Sequence, residues 1–249
     1  MKYFFDTEFI EGFKKPLFGK KRHFIDLISI GIISEDGREY YAVSKEFNAK
    51  DADDWVYKNV IQNIELDWVQ SYSGDGRNKM LDMIEGKGKY GAIKIMQKDI
   101  GKSNKRIAEE IKHFCNPELF LHNTAEPKLE FYGYYSDYDW VLLCSLFGRM
   151  IDLPKYFPMY CKDLKQMFDE LADIYTSEQL SKIKYPNVNH NVLEFLGNNG
   201  TLDKPKYLKE HKDYPLNSNE HSALDDAKWN KKLFDFIQNR KLEFLSYKK

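Results

Sequence analysis

Residues 1–10 read MKYFFDTEFI, an aromatic and apolar run interrupted by two carboxylates, Asp6 and Glu8. Its aromatic composition suits a β-strand, assigned to Tyr3–Phe9. Side chains alternate along a strand that rises about 3.3 Å per residue, so Asp6 and Glu8 point the same way, roughly 6–7 Å apart. Phe4 and Phe5 precede the pair and Phe9 and Ile10 follow it, which predicts a central strand shielded on both sides. Two like charges there are costly unless something positive lies between them. Hard divalent cations, which prefer oxygen ligands, would meet that need.

Working outward, an Ile-rich run over Phe24–Ser34 reads as a second strand, Glu35-Asp36-Gly37 as a tight turn, and Arg38–Phe47 as a third strand. The three form an antiparallel meander whose first connection is the loop Glu11–Arg22. Helices are read over Asp51–Ile64, over Ser103–Cys115 with Ser103 as cap, from Asp139 onward, over Leu164–Ala172 and over His221–Arg240. Leu129–Tyr135 and Met159–Lys162 read as strands. Leu66–Ser103, punctuated by SGDG at 73–76 and GKGK at 86–89, reads as an inserted flap or lid enclosing a short helix. Ser181–Asn219, rich in Asn, Lys, Pro and Gly, reads as a loop-dominated insertion with a short helix around Val192–Leu196. A meander followed by alternating helices and strands predicts an α/β fold in a single domain over 1–249.

Composition narrows the function classes. A 42% hydrophobic share supplies a packed core. The net charge of -1 disfavours a protein that coats nucleic acid at large, so any such grip is confined to a cleft. No apolar run reaches the length of about 18 residues that spans a bilayer, and Asp6 and Glu8 break the early apolar stretch that a signal peptide needs. Cys115, Cys144 and Cys161 lack metal-type spacing and are read as reduced core thiols. The expectation is a cytoplasmic protein.

Two further acidic sites join the first. In HSALDDAKWN, residues 221–230, a helical projection places Asp226 about 30° from the mean apolar direction and Asp225 about 130° from it. Asp226 is therefore expected to face inward and to want a partner, whereas Asp225 suits a first-turn acid favoured by the helix dipole. Between the two ends lies Ser136-Asp137-Tyr138-Asp139-Trp140, just past a strand, where an acid also serves as a helix cap.

The order D-x-E on the first strand, Asp at a strand-to-helix junction, then H-x4-D late in the chain resembles the DEDDh group of 3′–5′ exonucleases in the ribonuclease H-like superfamily. His221 and Asp226 meet the H-x4-D spacing. Tyr138-Asp139 followed by Val141, Leu142 and Leu143 fits the middle motif, with Asp137 in reserve. Within that group the chain is similar to bacterial and phage exoribonucleases of the RNase AS type through DTEFIE, SIGIISEDGREYYAVSKEF, WVYKNV, SDYDWVLL, FPMYCKDLKQ and HSALDDAKWN, about half the chain in the expected order. It departs from many members in following D-x-E with Phe9 and Ile10 rather than Thr and Gly.

The resemblance implies a ribonuclease H-like mixed five-stranded sheet, an antiparallel meander plus parallel strands, flanked by helices. It implies a hydrolase that removes 5′-mononucleotides from the 3′ end of single-stranded nucleic acid, RNA favoured over DNA. Two divalent ions, Mg²⁺ or Mn²⁺, roughly 3.5–4 Å apart, would be held by Asp6, Glu8, Asp139 and Asp226. His221 would be the general base. Phe9 and Tyr138, with Tyr134 and Tyr135, are candidate stacking surfaces for bases, and Lys14, Lys15, Lys20, Lys21 and Arg22 a basic loop for phosphates. His23, His113, His122, His190 and His211 are assigned structural or solvated roles. A homodimer is expected by resemblance alone. The competing readings are an exodeoxyribonuclease, a degenerate nuclease fold that only binds nucleic acid, and a structural metal protein, which would not need His221.

Overall fold

The computed structural model describes residues 1–15, 19–116, 129–183, 208–217 and 219–247. Five strands, β1 (Lys2–Lys14), β2 (Arg22–Ser34), β3 (Glu39–Val43), β4 (Glu130–Gly133) and β5 (Lys162–Asp163), form one sheet in the order β3-β2-β1-β4-β5. β1 pairs antiparallel with β2, and β2 with β3; β1 pairs parallel with β4, and β4 with β5. This is a ribonuclease H-like mixed sheet flanked by helices.

The meander stands, with changed bounds. The expected loop Glu11–Arg22 is strand at both ends, because β1 continues to Lys14 and pairs there with Arg22. A β-bulge between Glu8 and Phe9 keeps the two long strands in register past the acidic pair. β3 ends at Val43, and Ser44 makes one further bridge to Lys102.

Alternation along β1 divides the core. Tyr3 and Phe5 pack on one face with Ile107 and Ile111 of α4 (Asn104–Phe114) and Trp140 and Leu143 of α5 (Asp137–Phe147). On the other face Phe4 and Ile33 meet Leu164 and Phe168 of α6 (Leu164–Ile183) and Phe234 and Ile237 of α7 (Ala223–Tyr247). Farther along β1, Ile10 belongs to a third cluster with Ile28, Val60, Trp68 and Met96. Asp6 and Glu8 thus occupy the gap between two apolar clusters, whose burial offsets the cost of an acidic strip in a sheet.

Residues 66–103 are the main correction. Rather than a flap, they form α1 (Gln62–Gln70), α2 (Gly74–Ile84) and α3 (Gly88–Asp99), whose Ile64, Trp68, Met80, Ile93 and Met96 are buried in that third cluster. The Gly residues that suggested a loop stand at the helix starts: Gly74 and Gly88 carry φ of 52° and 65°, values that favour glycine. The helix expected from Asp51 starts at Asp54 instead, where the Asp53 carboxylate accepts the Val56 N–H at 2.7 Å, and passes through a π-helical turn, Tyr57–Ile61, before α1. Ser103 does cap α4, accepting from the Arg106 N–H. The short helix expected around Val192–Leu196 lies outside the described residues. Cys115 and Cys144 are buried and Cys161 half-buried, all as free thiols. No helix among the described residues is long and apolar enough to cross a membrane.

Gly31 explains how α7 reaches the acidic strip. It pairs with Asp6 across the ladder, and a Cβ placed on it would lie 2.3 Å from the Ala223 carbonyl oxygen. The first turn of α7 therefore rests directly on the strand backbone, an approach only glycine permits.

Candidate active site

Asp6 and Glu8 point to the face covered by α7, as alternation requires. One oxygen from each, and one from Asp226 at the start of α7, lie within 4.8 Å of one another. Neither Asp6 nor Glu8 has a hydrogen-bond or ion-pair partner among the described residues. Burial, then the charges of Asp139, Glu8 and Asp226, holds the Asp6 carboxyl well above the usual carboxylate range. Burial, with Asp226 and Asp139, pushes Glu8 up to about 8. Three carboxylates without a cation among them favour protonation, and their oxygens have the spacing and chemistry that a hard cation could bridge.

Asp226 is fixed from two sides. The Asn217 side-chain amide donates to its Oδ1, and the backbone N–H of His221 donates to its Oδ2 at 2.9 Å. Burial raises its pKa against these contacts. Asp225 turns the other way, as the helical projection indicated: it accepts from Asn219, lies 3.8 Å from the Lys228 ammonium and borders a separate cavity lined by Tyr41, Ile64 and Trp68.

The two acids of the middle motif stand in different settings. Asp137 is exposed, whereas Asp139 is 6% exposed and accepts from the Thr7 backbone N–H at 3.0 Å and from the Thr7 hydroxyl. Beyond Phe4 and Tyr132, β1 and β4 no longer pair, and Asp139 reaches β1 there from the first turn of α5. Burial pushes Asp139 up to about 6 against the opposing Thr7 hydrogen bonds. It stands outside the group of three oxygens yet adds to the negative field on Asp6 and Glu8.

His221 departs from its expected place. α7 begins at Ala223, and His221 precedes it with φ of 69°. A non-glycine residue in the left-handed region stores roughly 1–3 kcal/mol, held here by the N–H contact to Asp226 and by an edge-on packing of its ring against Trp55, centroids 4.8 Å apart. The residue separates two cavities. One is lined by Asp6, Tyr134, Asn217 and Asp226, the other by Glu8, Phe9, Asp53 and Trp55.

Phe9 and Tyr138 meet edge-to-face at 5.8 Å, and Tyr135 is exposed with φ of 54°. His113 is exposed, His211 contacts Arg240, and His122 and His190 lie outside the described residues.

Sequence reasoning missed four residues. Trp55 is spaced with Val56, Val60 and Ile64 as the apolar face of a helix, yet it is 54% exposed beside His221. Asn217 sits in a stretch whose polar composition concealed it, and Thr7 gave no signal beyond its place between the two acids. Asn230 had a readable signal, four residues after Asp226 on the same helix face. It is 1% exposed, and its amide donates to the Phe5 carbonyl at 3.0 Å, tying α7 to β1 next to Asp6.

The family model described as the 3'-5' exoribonuclease Rv2179c-like domain matches residues 1–238. Among curated proteins, the 3'-5' exoribonuclease Rv2179c of Mycobacterium tuberculosis (strain ATCC 25618 / H37Rv) is 31% identical over 170 residues, covering 68% of this chain and 75% of that protein. The 3'-5' exoribonuclease MT2234.1 of Mycobacterium tuberculosis (strain CDC 1551 / Oshkosh) matches with the same identity and coverage. A ribonuclease H-like sheet with its acids gathered beneath one helix start is thus matched along nearly its whole length, and the chain belongs to the 3'-5' exoribonuclease Rv2179c-like domain family.

Proposed function

We propose that this protein is a metal-dependent exoribonuclease of the DEDDh type that shortens single-stranded RNA from its 3′ end, releasing 5′-mononucleotides. The observation that carries the reading is the convergence of Asp6, Glu8 and Asp226 within 4.8 Å, without a neutralising partner among the described residues, beside His221. The donor set suits Mg²⁺ or Mn²⁺: all carboxylate oxygen, with Asp6 and Glu8 lacking protein donors among the described residues. Asp6, Glu8, Asp226 and Asp139 would hold two such ions, which when bound supply charge neutralisation at the phosphate and a more acidic water.

The chain's own residues do the rest. His221 accepts, at an imidazole nitrogen, the proton of the water that attacks phosphorus; the phosphorus–3′-oxygen bond breaks, and the departing oxygen takes a proton from solvent to become the 3′-hydroxyl of the shortened strand. Asn217 and the His221 N–H hold the Asp226 carboxylate in one orientation, and Thr7 does the same for Asp139. Phe9 and Tyr138 present apolar ring surface next to Glu8 on which an unpaired terminal base can stack. The preference for RNA rests on the relatives' names, since the carboxylates treat the two backbones alike and discrimination needs contact with the 2′-hydroxyl.

The test is product analysis on 5′-labelled single-stranded RNA and its DNA counterpart in Mg²⁺, Mn²⁺ or EDTA, with Asp6→Ala and His221→Ala as controls. Stepwise shortening of RNA that EDTA and either substitution abolish is the expected result. Equal cleavage of DNA would move the assignment to an exodeoxyribonuclease, and binding without hydrolysis would leave a nucleic-acid-binding module.

A further inference from the structure

The β1–β2 hairpin outruns its sheet. β4 pairs with β1 only over Lys2–Phe4, and β3 with β2 only over Ser29–Ile33, so from Phe9 to Lys14 the two long strands pair with each other alone. One side of this ribbon is covered, since Ile10 is buried and Phe24 packs against the helical cluster. The other side carries aromatic rings in sequence. Phe13, 61% exposed, meets His23 at 5.5 Å; His23 lies roughly parallel to Tyr138 at 6.4 Å; Tyr138 meets Phe9 at 5.8 Å, and Phe9 adjoins Glu8. The rings form a line from the outer ribbon to Phe9, which lines one cavity with Glu8 and His221.

Charge follows the same line. Lys21 stands 4.6 Å over the Phe13 ring, and Lys15, Lys20 and Lys21 are exposed, with no ion-pair partner among the described residues; Arg22 pairs with Lys14 across the ladder and so belongs to the covered side. Lys14 is not part of this set, because Asp26 and Asp51 engage it. The carboxylate on the ring side is Glu11, which lies 3.4 Å from His23. Exposed rings interleaved with unpaired cations match a ligand that has flat faces and a regularly spaced negative charge, which is a single-stranded polynucleotide.

We propose that this face of the ribbon is a track for the RNA upstream of the scissile bond, its bases stacking on Phe13, His23 and Tyr138 and its phosphates meeting Lys21. The identity of the strand rests on the exoribonuclease reading; the track itself rests on the ring line and the cations. A duplex keeps its bases stacked on one another and offers no face to the rings, so the track selects single strands.

The experiment compares wild type with Phe13→Ala/Lys21→Ala and with Phe13→Trp, each checked for an unchanged unfolding temperature. Binding of a labelled single-stranded RNA decamer is read by anisotropy in EDTA, and the preference for decamer over dinucleotide is read by hydrolysis in Mg²⁺. The expected result is about tenfold weaker decamer binding and a similar fall in that preference for the double variant, with Phe13→Trp close to wild type. Unchanged binding and preference overturn the track, all the more if Phe13→Ala alters self-association in sedimentation, which would assign the face to a second copy of the chain. If wild type hydrolyses neither RNA but the double variant still binds the decamer about tenfold more weakly, the exonuclease reading fails and the track stands.

Discussion

The backbone N–H of His221 donates to the Asp226 Oδ2 at 2.9 Å, so the proposed base and a proposed metal ligand are held by one contact. The left-handed backbone of His221, φ 69°, follows from that contact, since the chain must turn back to aim its amide at a side chain five residues on. Replacing Asp226 would disturb the imidazole as well as the acidic cluster, so the two residues should behave as a unit. Asp226→Ala and His221→Ala together are expected to reduce kcat little further than Asp226→Ala alone, measured as a double-mutant cycle.

Stability should depend on pH in a direction set by the acids. The Glu8 carboxyl moves from an ordinary 4.5 to about 8 in the fold, so over that interval the folded chain holds a proton that the unfolded chain has lost. A raised carboxyl contributes stability below the lower value that is lost as pH rises toward the upper one. Unfolding temperature in EDTA is expected to fall between about pH 5 and pH 8, and Mg²⁺ to remove much of the fall. The fall should be shallower in Glu8→Gln, the remainder belonging to Asp6, Asp139 and Asp226, whose carboxyls are also raised.

Gly31→Ala places a methyl 2.3 Å from the Ala223 carbonyl, where only backbone can yield. Overpacking of this kind costs about 1–3 kcal/mol, and here it also lifts Asp226 away from Asp6 and Glu8. Gly37→Ala is the control: its φ of 91° strains an alanine, yet open space surrounds it. Both variants should lower the unfolding temperature, but only Gly31→Ala should weaken Mn²⁺ binding.

Asn217→Ala removes the amide that orients Asp226 Oδ1. Hydrogen bonds that support a metal ligand are typically worth 10–100-fold in affinity, so an increase of about tenfold or more in the Mn²⁺ dissociation constant is expected by calorimetry. Asp225→Asn, on the far side of the helix, should change it less than about twofold.

Thr7→Val deletes a hydroxyl donor to Asp139 and keeps the backbone donor. A hydrogen bond to the ionised form lowers a pKa, so its loss should raise Asp139 further above its present value of about 6. The acid limb of kcat/KM is then expected to move up by roughly one pH unit.

The acidic core of the site was legible because strand alternation and helix phase are local properties. Asp6 and Glu8 share a face by period two, and Asp226 separates from Asp225 by a rotation of about 100°. Asp137 and Asp139 are equivalent in the sequence as helix-capping acids, and the difference between them turns on a contact with Thr7 132 residues away. Residues 66–103 misled because Gly74, Gly76, Gly86 and Gly88 resemble loop punctuation, while the burial that makes helices of them comes from Ile10, Ile28 and Val43 on distant strands. The hairpin was shortened in the reading because Lys14, Lys15, Lys20 and Lys21 look like a solvated loop; contacts across the ladder, Phe13 with His23 and Lys14 with Asp26, extend it. Asn217 and Trp55 were hidden for the same reason: each acquires its role only from the position of α7.

The most direct test is calorimetric titration of the metal-free protein with Mn²⁺ at about pH 7, in two buffers of different ionisation enthalpy, beside Asp6→Asn. The expected result is saturable binding with proton release, since raised carboxyls must ionise to become ligands, and loss of both binding and release in the variant while its fold persists by circular dichroism. Absence of Mn²⁺ binding in the wild type, or equal binding in Asp6→Asn, would contradict the assignment of Asp6, Glu8 and Asp226 as a divalent-cation centre.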